Sequence, residues 1–274
     1  MGTLFRVASF NGSTLLHIRI LIGYRITVNR REYQGSTPYT DAERDVFTQG
    51  SDDQRLDLLL SEGKNLALCL EGLIHSLSLP PRVVIFGWSL GKLFTLPLLA
   101  SISSLPQAVQ ERLASSVHKT IVWVLRYAGS PTYVPLLDLD IAPEARPMAF
   151  LKWLGYYIMH GGLFKRNITR FDKGYSDPNR RGTFNCLPLQ ELAEMIDLNA
   201  SSRSDSLIPD ASLGQPGFLK VAGIITNKAL FDTLTPSAWG GMDVWHLFGN
   251  SNIPQIMAAT WFLEDQVHCQ PYAI

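Results

Sequence analysis

The stretch Val83-Val84-Ile85-Phe86-Gly87-Trp88-Ser89-Leu90-Gly91-Lys92 constrains this chain more than any other. A β-branched apolar run enters a Gly-x-Ser-x-Gly pentapeptide, and a leucine-rich helical pattern (Leu93, Phe94, Leu96, Leu98, Leu99) leaves it. That order predicts a buried strand over Arg82–Phe86, a tight turn and a helix, with Pro97 removing one backbone donor and shortening that helix. A serine hydroxyl is a poor nucleophile unless the backbone holds it where a base and oxyanion donors can reach it. A strand-to-helix turn does so, and small residues two before and two after the serine let strand and helix approach closely. The pentapeptide alone occurs by chance in roughly one chain of this length in ten. Its flanks therefore carry the argument against a glycine-bounded loop with an ordinary surface serine.

The flanks extend into an alternation. Tyr24–Asn29 is β-rich, Arg30 to Pro38 is a polar turn, and Arg55–His75 has leucines at helical spacing up to Pro80-Pro81. Gln107–Val117 reads as helix and Thr120–Leu125 as a second buried strand, so this half predicts a parallel α/β sheet. From Ala142 to about Leu234 the pattern changes to helical segments such as Glu144–Met159 and polar loops such as Asp172–Gly182, with no clear strand. Asp243–Phe248 returns to strand, and Pro254–Val267 is a last amphipathic helix. The expected division is a core over 1–134 and 236–274 with a helical cap inserted at 135–235.

Composition narrows the function classes. With 46% apolar residues in 274, the chain can bury one large core. Lys+Arg 24 against Asp+Glu 24 gives no net charge and no basic block, so no nucleic-acid partner is expected. Cys69, Cys186 and Cys269 are odd in number and widely spaced, which points to free thiols in a reducing compartment and to no metal site. His17 and Arg19 interrupt the apolar run Leu15–Ile22, so neither a signal peptide nor a membrane span is expected; cytoplasmic is the default. No cofactor is implied, and the oligomeric state stays open.

On three segments the chain resembles the α/β-hydrolase superfamily, and more closely a group of its uncharacterised fungal members. These are Asn29-Arg30-Arg31-Glu32-Tyr33-Gln34-Gly35-Ser36-Thr37-Pro38, the elbow Gly87-Trp88-Ser89-Leu90-Gly91, and Ala259-Thr260-Trp261-Phe262-Leu263-Glu264. The resemblance implies an α/β fold, a mostly parallel sheet flanked by helices, with a helical cap inserted after the strand Thr120–Leu125. It implies Ser89 as nucleophile and the Leu90 backbone N–H as one oxyanion donor. A second donor is expected at Ala8 or Ser9, after a strand remnant Thr3–Val7, although Arg6-Val7 stands where relatives have His-Gly. The acid position after Asp243–Phe248 falls on Gly249-Asn250-Ser251-Asn252, where Asn250 could orient an imidazole without stabilising its charged form. Asp138 and Asp140 are the alternative acids, against a reading as solvated residues at the cap entrance.

No histidine stands where the resemblance wants one. His17, His75 and His118 read as helix-end or surface residues, and His160-Gly161-Gly162 as a cap turn. His246 reads as a core histidine within a strand, and His268 as the end of the last helix. Both ends read as short, with terminal strands missing, so a truncated gene product and a pseudoenzyme both remain. The implied function is a serine hydrolase of carboxylic esters or similar acyl bonds, impaired as written. The alternative is a non-catalytic binding protein or an inactive fragment. The apolar cap residues Met148, Phe150, Trp153, Leu154, Tyr156, Tyr157 and Phe164 imply a small, moderately hydrophobic acyl substrate, or only cap-to-core packing.

Overall fold

The structure, a computed structural model, describes residues 5–10, 25–33, 35–80, 82–123, 135, 138–160, 165–167, 177–188, 190–191 and 216–269. Four parallel strands form one sheet: β1 (Phe5–Phe10), β2 (Val83–Trp88), β3 (Val117–Trp123) and β4 (Asp243–Gly249), in the order β1-β4-β3-β2. The fold is α/β with a small parallel sheet, as the alternation predicts.

Local chemistry explains the helices before β2. Thr40 and Glu43 close a capping box at the start of α1 (Asp41–Gln49), and Ser51 and Gln54 do the same for α2 (Asp52–Ser76). On α2, Arg55, Leu59, Glu62, Gly63 and Ala67 are buried, a single stripe at helical spacing. That stripe meets α3 (Lys92–Ala100) so closely that a Cβ on Gly63 would stand 2.2 Å from the Pro97 carbonyl carbon. Pro97 lies inside α3, which ends at Ala100, within a turn of it.

The main core lies between the sheet and these helices. Leu59 and Ala67 of α2 and Phe94, Leu96, Leu98 and Leu99 of α3 meet Leu113 of α4 (Gln107–Ser116), Val117, Val122 and Val244. After β3 come α5 (Arg146–Gly155), α6 (Pro216–Leu230) and α7 (Leu234–Ala238). Helix α6 falls inside the range expected for the cap, yet its Val221, Ile225 and Ala229 belong to the main core. Packing thus places the Val221, Ile225 and Ala229 face of α6 in the main core. Helix α8 (Pro254–Cys269) packs Ile256, Met257 and Ala258 against Phe248.

Register sorts the sheet into two faces. Gly87, Val122 and His246 share one row, and Ile85, Thr120 and Val244 another, on the face that the helices cover. The opposite face carries the rows Phe86, Ile121, Trp245 and Trp88, Trp123, Leu247. There Phe86 is 51% and Trp88 63% exposed, and both rings contact Trp123.

The β-rich run expected to be a strand at Tyr24–Asn29 corrects, over its described residues 25–29, to an exposed segment outside any helix or strand, with Ile26 and Val28 in solvent. A strand needs a sheet neighbour, and the sheet's described strands do not include this segment. The polar turn that follows is held by charge. Arg31 forks onto Glu43 at 2.7 and 2.8 Å, reaches Glu62 at 3.0 Å and Pro38 O at 2.7 Å, and lies over the Tyr39 ring. Tyr39 in turn donates to Glu62 at 3.3 Å, and burial raises its pKa.

Candidate functional site

Ser89 stands at the C-terminal end of β2, on the first residue of a 3-10 turn, Ser89–Gly91, that runs into α3. Trp88 is still extended (φ −107°, ψ 133°), whereas Ser89 has φ +52°. A side chain in the left-handed region is strained unless its surroundings impose it. Three other described non-glycine residues share this sign, Glu32, Ser78 and Arg166, all outside strands and helices. Ser89 differs in sitting between a strand and a helix, which turns its side chain out of the sheet; it is exposed.

One glycine of the pentapeptide explains the tight turn. A Cβ on Gly87 would lie 2.4 Å from Thr95 Oγ1 and 2.9 Å from Thr95 Cβ, so α3 sits directly on the strand. Thr95 Oγ1 is itself fixed by donating to Gly91 O at 3.1 Å. Gly91 does not share the constraint: a Cβ there meets nothing within 4 Å, and its φ of −55° suits any residue. The expectation that both glycines serve close approach is thus corrected to Gly87 alone. Leu90, half-buried, is the second residue of the turn, where a helical start leaves N–H groups without intrahelical acceptors. The turn therefore joins a hydroxyl and a backbone donor at a helix N-terminus.

Ala8 and Ser9, expected to give a second oxyanion donor, do not stand beside the elbow. Ser9 and Ala8 lie on β1, which pairs with β4 and not with β2. Three strand spacings, about 14 Å, separate β1 from the elbow, whereas an oxyanion donor has to stand about 3 Å from the developing charge. The structure does not bring Ser9 to Ser89, because the sheet order and not chain proximity decides which strand flanks β2.

The loop after β4 shares the C-terminal end of the sheet with Ser89. Its Asn250 Oδ1 accepts from Ser251 Oγ at 3.4 Å, and Asn252 Oδ1 accepts from Ile253 N at 2.8 Å. The segment after α5 docks on this loop: Ile158 N donates to Ser251 O at 2.9 Å, and His160 Nε2 lies 2.5 Å from Asn252 O. Ile158 and Trp153 are both buried, and Trp153 stacks on Phe150. Met148, Leu154 and Tyr157 of the expected substrate-facing set stay exposed, and Phe164 lies outside the described residues. His160 is the residue whose position the sequence reading missed. A His-Gly-Gly run signals a turn, but nothing local says that the turn will dock on a loop about ninety residues later in the chain.

The remaining candidates make other contacts. Asp138 Oδ1 accepts from Asp140 N at 3.0 Å, so the pair forms a local turn, with Asp140 exposed. His246 is buried on the helix-covered face, level with Gly87, and its pKa is pushed down to about 3, first by burial and then by the Lys92 charge. His118 is exposed near the start of β3, His75 is exposed at the end of α2, and His268 Nδ1 bonds to Glu264 O at 2.6 Å. His17 lies outside the described residues. A cleft of about 180 Å³ opens at the other end of the strands, lined by His118, Trp239, Gly240 and Asp243, and is not part of the elbow. Among the described residues no group of three or more His, Cys, Asp or Glu side chains could hold a metal ion, and no helix is long and apolar enough to cross a membrane. No family model, curated protein or solved structure matches the chain.

Proposed function

We propose that this protein is a serine hydrolase of the α/β-hydrolase kind, acting on carboxylic ester or similar acyl bonds. The observation that carries the reading is Ser89 at φ +52° between a parallel strand and a helix, with Gly87 giving α3 the room to close on β2. The chemistry that follows is nucleophilic. Ser89 Oγ attacks the acyl carbon and the Leu90 N–H stabilises the oxyanion. The alcohol leaves with a proton, and water hydrolyses the acyl-enzyme. The exposed apolar residues Met148, Leu154 and Tyr157 of the inserted region favour a moderately hydrophobic substrate.

Fluorophosphonate labelling tests this. Purified folded protein is expected to label at Ser89, and Ser89→Ala is expected to abolish the label. Folded wild type that does not label, or a Ser89→Ala variant that labels equally, overturns the reading. A second reading is a binding protein on the same scaffold, favoured by Asn250 in the position where a carboxylate would support an imidazolium. Ligand binding without labelling would select it.

A further inference from the structure

We propose that the open face of the sheet docks on a second copy of this chain, as an isologous dimer with the two sheets stacked face to face. The core clusters set α3, α4, α6 and α8 against the face that carries Val122, Val244 and Phe248. A parallel sheet is stable in water when both of its faces are covered, because its strands are apolar on both. The second face is apolar here too. Register sets it out as three rows across β2, β3 and β4: Val84 with Lys119 and Asp243, Phe86 with Ile121 and Trp245, and Trp88 with Trp123 and Leu247. Seven of these nine side chains are apolar, and the other two carry opposite charges.

Area and charge both favour a second copy as the occupant. Val84 is 49% and Trp123 40% exposed, beside Phe86 at 51% and Trp88 at 63%. These four side chains leave about 400 Å² of apolar surface. Isologous pairing removes it from both copies, and the half-buried Ile121, Trp245 and Leu247 bring the total to about 1,000 Å², where specific interfaces begin. A two-fold axis sets the same patch against itself, so the patch must not repel its own copy. Lys119 and Asp243 balance within these rows, and the whole chain has 24 basic and 24 acidic residues. Lys119 Nζ lies 3.7 Å from the Trp245 ring centroid, which sets a charge at the margin of an aromatic centre, as in specific interfaces. β2 is also an edge of the sheet among the described strands, but pairing two β2 edges would leave the aromatic rows in water. Stacking the faces about 10 Å apart buries them.

Sedimentation velocity on the full chain across the micromolar range reads the assembly. A single species of twice the chain mass is expected, with a Kd taken from its concentration dependence. Trp88→Glu and Trp123→Glu each put a charge between the stacked faces and should raise that Kd by roughly 30-fold or more, with folding checked by far-UV circular dichroism. Phe86→Ser removes apolar area without adding charge and should also weaken the dimer; it decides the matter if the glutamate variants do not fold. Leu234→Glu changes an apolar residue of α7 that is 70% exposed, and should leave the dimer intact. A wild type that stays monomeric at every concentration overturns the inference, as does a ladder of larger species. So does a dimer that survives these face substitutions in folded protein, or one that Leu234→Glu dissociates equally. None of these readouts involves the Ser89 hydroxyl, so the inference stands or falls apart from the hydrolase reading.

Discussion

Replacing Gly87 by alanine tests the geometry on which the elbow depends. The new methyl would stand 2.4 Å from Thr95 Oγ1 and 2.9 Å from its Cβ. Thr95 is buried and β-branched, and its hydroxyl is committed to Gly91 O. Rotating the hydroxyl away sacrifices a bond worth about 1 kcal/mol and still leaves the Cβ contact, so α3 has to shift as well. Overpacking of this kind costs about 1–3 kcal/mol. Against it stands a gain of about 0.5–1 kcal/mol from restricting the unfolded chain. The net expectation for Gly87→Ala is a loss of about 2 kcal/mol, or roughly 5 °C in Tm for a chain of this size. Urea denaturation monitored by far-UV circular dichroism measures it, and a double-mutant cycle assigns it. Thr95→Ala removes the Oγ1 contact, so Gly87→Ala should cost about 1 kcal/mol less in that background. Additive effects, or a Gly87→Ala protein as stable as wild type, would refute the claim that Thr95 sets the approach of α3 to β2. Because the same shift displaces the turn, Gly87→Ala should also slow Ser89 labelling.

The other glycines give opposite expectations. Gly63→Ala meets the Pro97 backbone at 2.2 Å and should cost more than about 3 kcal/mol, whereas Gly91→Ala meets nothing and should be neutral or stabilising, both read from urea midpoints. Arg31→Ala leaves the buried Glu62 without its guanidinium and should cost about 2–4 kcal/mol in the same assay. Stability should also fall with acid in two stages. The His246 pKa is depressed to about 3 by burial, so its contribution is complete above about 6.5, the unfolded value, and is lost as pH falls toward 3. The Arg31 hydrogen bonds hold the Glu43 carboxyl down at about 2, so its contribution is lost between 4.5 and 2. Urea midpoints across pH 8 to 2 should lose the upper limb in His246→Gln and the lower one in Glu43→Gln.

What could be read from the residues is what neighbouring residues impose on one another. The strand, turn and helix around Ser89, the helix over Asp52–Ser76 and the strand Asp243–Gly249 each follow from periodicity, caps and breakers within a few residues of themselves. So does the burial of His246, which alternates with Val244 and Phe248. The run Tyr24–Asn29 fails for the complementary reason: β propensity makes an extended chain, but only a partner makes a strand.

The sequence by itself determined the elbow, the α/β class and Ser89 as the residue at its turn, because those rest on local steric and periodic rules. The tertiary structure alone decided what surrounds Ser89. Sheet order placed β1, with Ser9, at the far edge, and core packing drew α6 out of the expected cap. Docking of residues 158–160 on the loop after β4 set a histidine beside that loop. These are contacts between segments far apart in the chain. Their selection depends on which buried surfaces fit together, and no window of sequence carries that information.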